Sequence, residues 1–187
     1  ICWSLVGSEM CIRDSITDEI CNCDYNLNNI IEPVEFGTQI WKSIEDSSHL
    51  VEAKFENIHT IAEEIFTNFP ELKVLDISNN SIEMIPAEIS KSINLTDINL
   101  SNNNICDEGA SIIAKCIKQN HNCNLKELDL QNNRITTIGT SSLAEMMQVN
   151  TSLRSINLLK NQINNEGYEI IKTAFETNTN LISVCGI

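Results

Sequence analysis

From Leu72 onward, apolar side chains recur at a fixed spacing. The first set is Leu72, Leu75, Ile77 and Ile82, and it returns as Leu95, Ile98, Leu100 and Ile105. Two more sets follow at Leu125, Leu128, Leu130 and Ile135, and at Leu153, Ile156, Leu158 and Ile163. The alternation at the fourth and sixth positions predicts a short strand with one buried face. An Asn stands two residues before each closing Ile: Asn80, Asn103, Asn133 and Asn161. It falls where the chain turns out of the strand, and a buried amide there requires hydrogen-bond partners. A fifth set opens at Leu181 and Val184, with Gly186 in the place of a core aliphatic. After three of the sets the period changes. Gly109, Gly139 and Gly167 are each followed four residues on by Ile113, Leu143 or Ile171, and eight residues on by Ile117, Met147 or Phe175. That spacing predicts one apolar face of a helix, with the glycines in the turn that enters it. The segment after Ile82 is shorter and carries Ile85-Pro86, so the first set gives a shorter repeat with a looser connection.

The consensus L-x-x-L-x-L-x-x-N-x-I resembles the leucine-rich repeat. The three copies with helical connections look like the ribonuclease-inhibitor type, shared by NOD-like receptors, Ran GTPase activators and tropomodulin. The resemblance implies that Asn80, Asn103, Asn133 and Asn161 form a ladder of amides bonded to neighbouring coils. One repeat cannot bury its own apolar face, so the copies must stack. The expected fold class is an α/β solenoid, with short parallel strands on a concave face and helices on the convex face. Leu50, Ala53 and Phe55 fit the strand pattern one repeat before Leu72, with Ile58 where the Asn belongs. Ile20, Cys23, Tyr25, Asn28 and Ile30 fit once more. Strands are therefore expected to start near 20, 50, 72, 95, 125, 153 and 181.

Residues 5–15, Leu-Val-Gly-Ser-Glu-Met-Cys-Ile-Arg-Asp-Ser, resemble a translated sequencing-library adapter. Residues 1–15 are therefore expected to be non-native and the rest a fragment of a longer protein, with 16–187 as one repeat domain. A rival division gives 16–46 to an EF-hand and 49–187 to the repeats. Asp24, Asn26 and Asn28 resemble the first three calcium ligands of that loop, Ile30 its carbonyl ligand and Glu35 its bidentate carboxylate. Asn29 stands in place of the turn glycine, and Leu27 is bulky for its position. With one carboxylate in the first five positions, affinity would be weak.

Composition narrows the function. Twelve Lys and Arg against 26 Asp and Glu give a net charge of -14. That excludes nucleic acid as a default partner and argues against an anionic membrane surface. No apolar run approaches the roughly 20 residues that span a bilayer. The charge is uneven: net -9 over 16–64 and -4 over 65–187. The cysteines show no framework spacing, which fits a reducing, cytoplasmic compartment. Cys106, Cys116 and Cys123 with His121 are the nearest approach to a zinc set, yet Cys116 falls on the helical core face. Buried or half-buried thiols with no metal are the expectation.

Period-2 geometry points the residues between the core positions out of the concave face. The central column there is Asp76, Asn99, Asp129 and Asn157, and neighbouring columns add Lys73, Asp97, Lys126, Glu127 and Arg154. This face holds no acid, base and nucleophile set, so no catalysis and no cofactor are expected. A curved array of separated polar contacts suits binding to another protein. A calcium-responsive scaffold is the alternative if residues 24–35 are an EF-hand. GTPase-activator-like and tropomodulin-like actin-capping roles are implied by the resemblance alone.

Calcium titration of residues 16–187, where Trp41 is the only tryptophan, separates the two readings of the N-terminal stretch. The repeat reading predicts flat fluorescence up to millimolar calcium. A saturable change that Glu35→Gln abolishes would establish the EF-hand instead.

Overall fold

The computed structural model of the chain describes residues 51–186, apart from 56, 57, 62, 68, 121 and 122, together with the strand backbone at 2–6, 9–13 and 20–21. The nine strands among these described residues form one sheet. They are β1 (Cys2–Val6), β2 (Glu9–Arg13), β3 (Ile20–Cys21), β4 (Glu52–Lys54), β5 (Val74–Asp76), β6 (Asp97–Asn99), β7 (Glu127–Asp129), β8 (Ser155–Asn157) and β9 (Ser183–Cys185). From β4 to β9 all pairings are parallel and in register, so Glu52, Val74, Asp97, Glu127, Ser155 and Ser183 stand side by side.

Each of these strands is three residues long because only its middle residue is held in the core. Ala53, Leu75, Ile98, Leu128 and Ile156 are buried at that position, while their strand neighbours face out. The first and sixth pattern positions close the same core with Leu72, Leu95, Leu125 and Leu153, and with Ile77, Leu100, Leu130 and Leu158. The convex side changes along the stack. The coils that begin near 50 and 72 close with 3-10 turns at Glu63–Phe66 and Ala87–Lys91. The next three carry 13-residue helices: α1 (Asp107–Gln119), α2 (Thr137–Val149) and α3 (Asn165–Thr177).

The asparagines join coil to coil. Asn133 donates from Nδ2 to the carbonyls of Leu130 and of Leu100 in the preceding coil, both at 3.0 Å. Its Oδ1 accepts from Ile105 N at 2.9 Å. Asn103 makes the same set to Leu100 O, Ile77 O and Ile82 N, and Asn161 to Leu158 O, Leu130 O and Ile135 N. Asn80 reaches Phe55 O and Ile58 N at 2.9 and 2.8 Å.

That last bond revises the alignment of the degenerate coil. Ile58 N is bonded as Ile82 N and Ile105 N are, and Ile58 O accepts from Ser81 N just as Ile82 O accepts from Asn104 N. Ile58 therefore stands in for the closing Ile and does not replace the Asn. The coil has lost two residues of its turn and is correspondingly short.

The recurring glycines are also placed differently from the sequence expectation. They lie inside the first turn of each helix. Only Gly186, at φ 106°, has a positive φ among the described glycines. What they supply is the missing Cβ. A Cβ on Gly109 would lie 2.6 Å from the Glu83 carbonyl oxygen of the preceding coil and 2.9 Å from Ile105 Cγ2. Alanine would gain about 1 kcal/mol of helix propensity there. Overpacking against a backbone atom costs about 1–3 kcal/mol and decides the sign. At Gly139 the close neighbour is Asp107, whose carboxylate accepts from Gly139 N at 2.9 Å, Thr136 N at 2.7 Å and Thr136 Oγ1 at 2.6 Å. An acid in the first turn of α1 thus caps the start of α2.

Upstream of β4 the pairing departs from the repeat expectation. The parallel neighbour of β4 is β1, with Cys2 opposite Glu52, and not a strand near residue 20. β2 returns antiparallel on β1, and Ile20–Cys21 lies antiparallel on β2. The backbone edge of β4 accepts an extended partner whatever its sequence, because its N–H and C=O groups need pairing. β1, from the segment set apart by its sequence, fills that edge. The calcium-loop reading of Asp24, Asn26, Asn28, Ile30 and Glu35, and the repeat reading of residues 22–30, lie outside the described residues.

Replacing Asn133 with Ala should destabilise the stack by about 2–4 kcal/mol, since a buried N–H and two carbonyls lose their partner. Urea unfolding followed by circular dichroism measures this. A loss smaller than one ordinary hydrogen bond, under about 0.5 kcal/mol, would show that water takes over the amide's bonds.

Candidate functional site

The concave face is a lattice set by the sheet. Strands lie about 4.8 Å apart, and outward positions on one strand about 6.7 Å apart. Its first column holds Glu52, Val74, Asp97, Glu127, Ser155 and Ser183, and its second Lys54, Asp76, Asn99, Asp129, Asn157 and Cys185. Beside them, one residue before the strands, run Lys73, Thr96, Lys126 and Arg154.

The predicted binding residues are therefore brought together on one face, but they are not equally available. The second column turns the chain. Asp76 Oδ1 accepts from Ser78 N at 3.0 Å, Asn99 Oδ1 from Ser101 N at 3.1 Å, Asp129 Oδ1 from Gln131 N at 2.8 Å and Asn157 Oδ1 from Leu159 N at 3.1 Å. These are Asx turns, in which a short side chain mimics a backbone acceptor. Asn157 Nδ2 is shared further between Asp129 Oδ2 and Gln131 Oε1, both at 3.2 Å. Asp97 accepts from Thr96 Oγ1 at 2.5 Å. Arg154 donates from Nη1 to Thr151 O at 2.9 Å and Asn180 O at 3.4 Å. Lys73, Lys126 and Glu127 are exposed, and none has an ion pair among the described residues.

Charge is graded along the lattice. Its first four coils carry the carboxylates of Glu52, Asp76, Asp97, Glu127 and Asp129, whereas Ser155, Asn157, Ser183 and Cys185 in the last two carry none. Lys73, Lys126 and Arg154 line the entering side. Among the described residues no three His, Cys, Asp or Glu side chains come together to hold a metal. Cys106, Cys116, Cys123 and Cys185 are free thiols. No described helix is long and apolar enough to cross a membrane.

One array went unread in the sequence. Asn79, Asn102 and Asn132 adopt left-handed backbone, at φ 57°, 56° and 53°. Asn102 Nδ2 donates to Asn79 Oδ1 at 3.1 Å, and Asn132 Nδ2 to Asn102 Oδ1 at 2.7 Å. This surface amide ladder runs beside the buried one. Its signal is the doubled Asn at 79–80, 102–103 and 132–133. Asn tolerates a left-handed turn better than most residues. In the next coil Lys160 holds the same conformation, at φ 58°, and the ladder stops.

Comparison with known proteins agrees with this geometry. A family model described as leucine rich repeat matches residues 54–105, and a second of the same description matches 121–144 and 149–169. Both describe a repeat and not a catalytic domain. Tsukushi from Gallus gallus is 34% identical over 64 residues, which is 34% of this chain and 17% of that protein. The chain thus spans well under two thirds of this relative. Among solved structures, actin-binding site 2 of leiomodin-1 superposes with a TM-score of 0.52 at 21% identity, over 66% of this chain and 75% of that one. A Bacteroides fragilis protein aligns over 83% of this chain and 61% of its own, at 14% identity and a TM-score of 0.36.

Lys160→Asn should stabilise the stack by up to about 1 kcal/mol, because it relieves a left-handed lysine and extends the amide ladder. Lys160→Gly relieves the backbone alone. Thermal unfolding of both separates the two contributions, and equal gains would mean that the added amide finds no partner.

Proposed function

We propose that the chain, which belongs to the leucine-rich repeat family, binds another protein along its concave face. The observation that carries this reading is the unbroken parallel register of β4 to β9. It lines up exposed Lys73, Lys126 and Glu127 on a rigid lattice, with no ion-pair partner among the described residues. The second column contributes less, because its oxygens are partly used by the turns. The backbone that carries them is already set by the sheet, so contact need not order the strands, which favours affinity from few polar groups. The mixture of acids in the middle and cations on the entering rim selects a partner of complementary pattern and steers its approach.

Actin is the first partner to test. One solved structure of similar fold, from leiomodin-1, is named as an actin-binding site. That likeness supports testing an actin role before a GTPase-activating one.

Actin sedimentation with the full chain is the experiment, with Lys73→Glu/Lys126→Glu as the variant. Neither lysine contributes to the core, so its fold should persist. Binding should weaken about tenfold or more, corresponding to about 1.4 kcal/mol. Equal binding by the variant would overturn the concave-face reading. No binding by the wild-type chain would remove actin and leave the face open to other proteins.

A further inference from the structure

Two cysteines that the repeat pattern does not call for border one void. Cys116 sits where the other helical coils have Met146 and Ala174, and Cys123 lies in the loop that makes its repeat longer than the two that follow. The backbone folds the second back toward the first. Asn120 N donates to Cys116 O at 3.1 Å at the end of α1, and Cys123 N then donates to Asn120 O at 3.0 Å. Both residues line a cavity of about 10 Å³, walled by Ile89, Ile117 and Leu125. That volume is at the lower limit for one water, and its lining is mostly apolar. Cys116 is 6% exposed, and Cys123 is half-buried and reachable. The thiol of Cys116 has one weak bond, to Ala87 O at 3.5 Å.

We propose that Cys116 and Cys123 form an intrachain disulfide across this void when the chain meets a low-molecular-weight disulfide such as oxidised glutathione. The reaction proceeds by two exchanges. The Cys123 thiolate attacks one sulfur of the oxidant, forms a mixed disulfide and expels one glutathione thiolate. The Cys116 thiolate then attacks the Cys123 sulfur and expels the second. The dithiol loses two electrons and two protons, and the oxidant is reduced to two glutathione thiols. The order follows from access. Burial pushes the Cys116 thiol up, with Lys115 opposing and the Glu88 carboxylate reinforcing, so its thiolate is scarce and serves as the resolving group. The bond ties the end of α1 to the segment leading into Lys126 on the concave rim.

Trypsin makes the test specific, because it cuts after Lys115, Lys118 and Lys126. Peptides Cys116–Lys118 and Gln119–Lys126 then separate unless a disulfide joins them. The full chain is incubated with oxidised glutathione, denatured, capped with N-ethylmaleimide and digested without reductant. The expected product is the joined pair, two hydrogens lighter than the sum of its peptides. It is lost on reduction and absent from Cys123→Ser. Cys116→Ser should instead trap glutathione on Cys123. Recovery of Cys116 capped by maleimide while Cys123 carries glutathione would overturn the proposal. So would Cys116 joined to Cys106, or both thiols recovered unreacted.

Discussion

The stack depends on how each coil leaves its strand. A three-residue strand is too short to pair the backbone of the turn that follows, and that turn is covered by the next coil. Its N–H and C=O groups are thus taken from water with no sheet partner. One side-chain amide resolves this. Asn103 and Asn133 each offer two donors and an acceptor, and their bonds reach both their own coil and the one before. No apolar residue could do so, and a carboxylate would bring a buried charge. Strand length, turn shape and coil spacing all follow from that amide.

This part of the structure was legible because it repeats. Leu75, Ile98, Leu128 and Ile156 lie at equivalent positions, and the same chemical problem is solved four times in the same letters. What repeats less was read less well. Ile58 looked like a substituted Asn because a deletion shifts the alignment by two, and only the hydrogen bonds show which residue it matches. Gly109, Gly139 and Gly167 were visible as a pattern, but their cause was not. A sequence shows that a side chain is missing and not what would have occupied its space.

The concave face shows a sharper limit. Alternation places Asp76, Asn99, Asp129 and Asn157 on it, yet cannot reveal that one oxygen of each is held by the backbone two residues on. The doubled asparagines had an equally plain signal, yet only the second of each pair entered the repeat pattern. Short polar side chains beside turns are drawn to local backbone before they are offered to a partner.

The change on the convex side has a geometric consequence. Helices pack about 8–10 Å apart and strands about 4.8 Å apart. A coil with a helix on one side and a strand on the other is therefore a wedge, and wedges in series bend into an arc. For layers about 10 Å apart, the inner radius is then roughly 10 Å. The coils closed by 3-10 turns are thinner on the outside and bend less. By this geometry the sheet bends more steeply from β6 onward than at β4 and β5. A partner lying along the whole face must therefore be more convex over β6 to β9 than over β4 and β5.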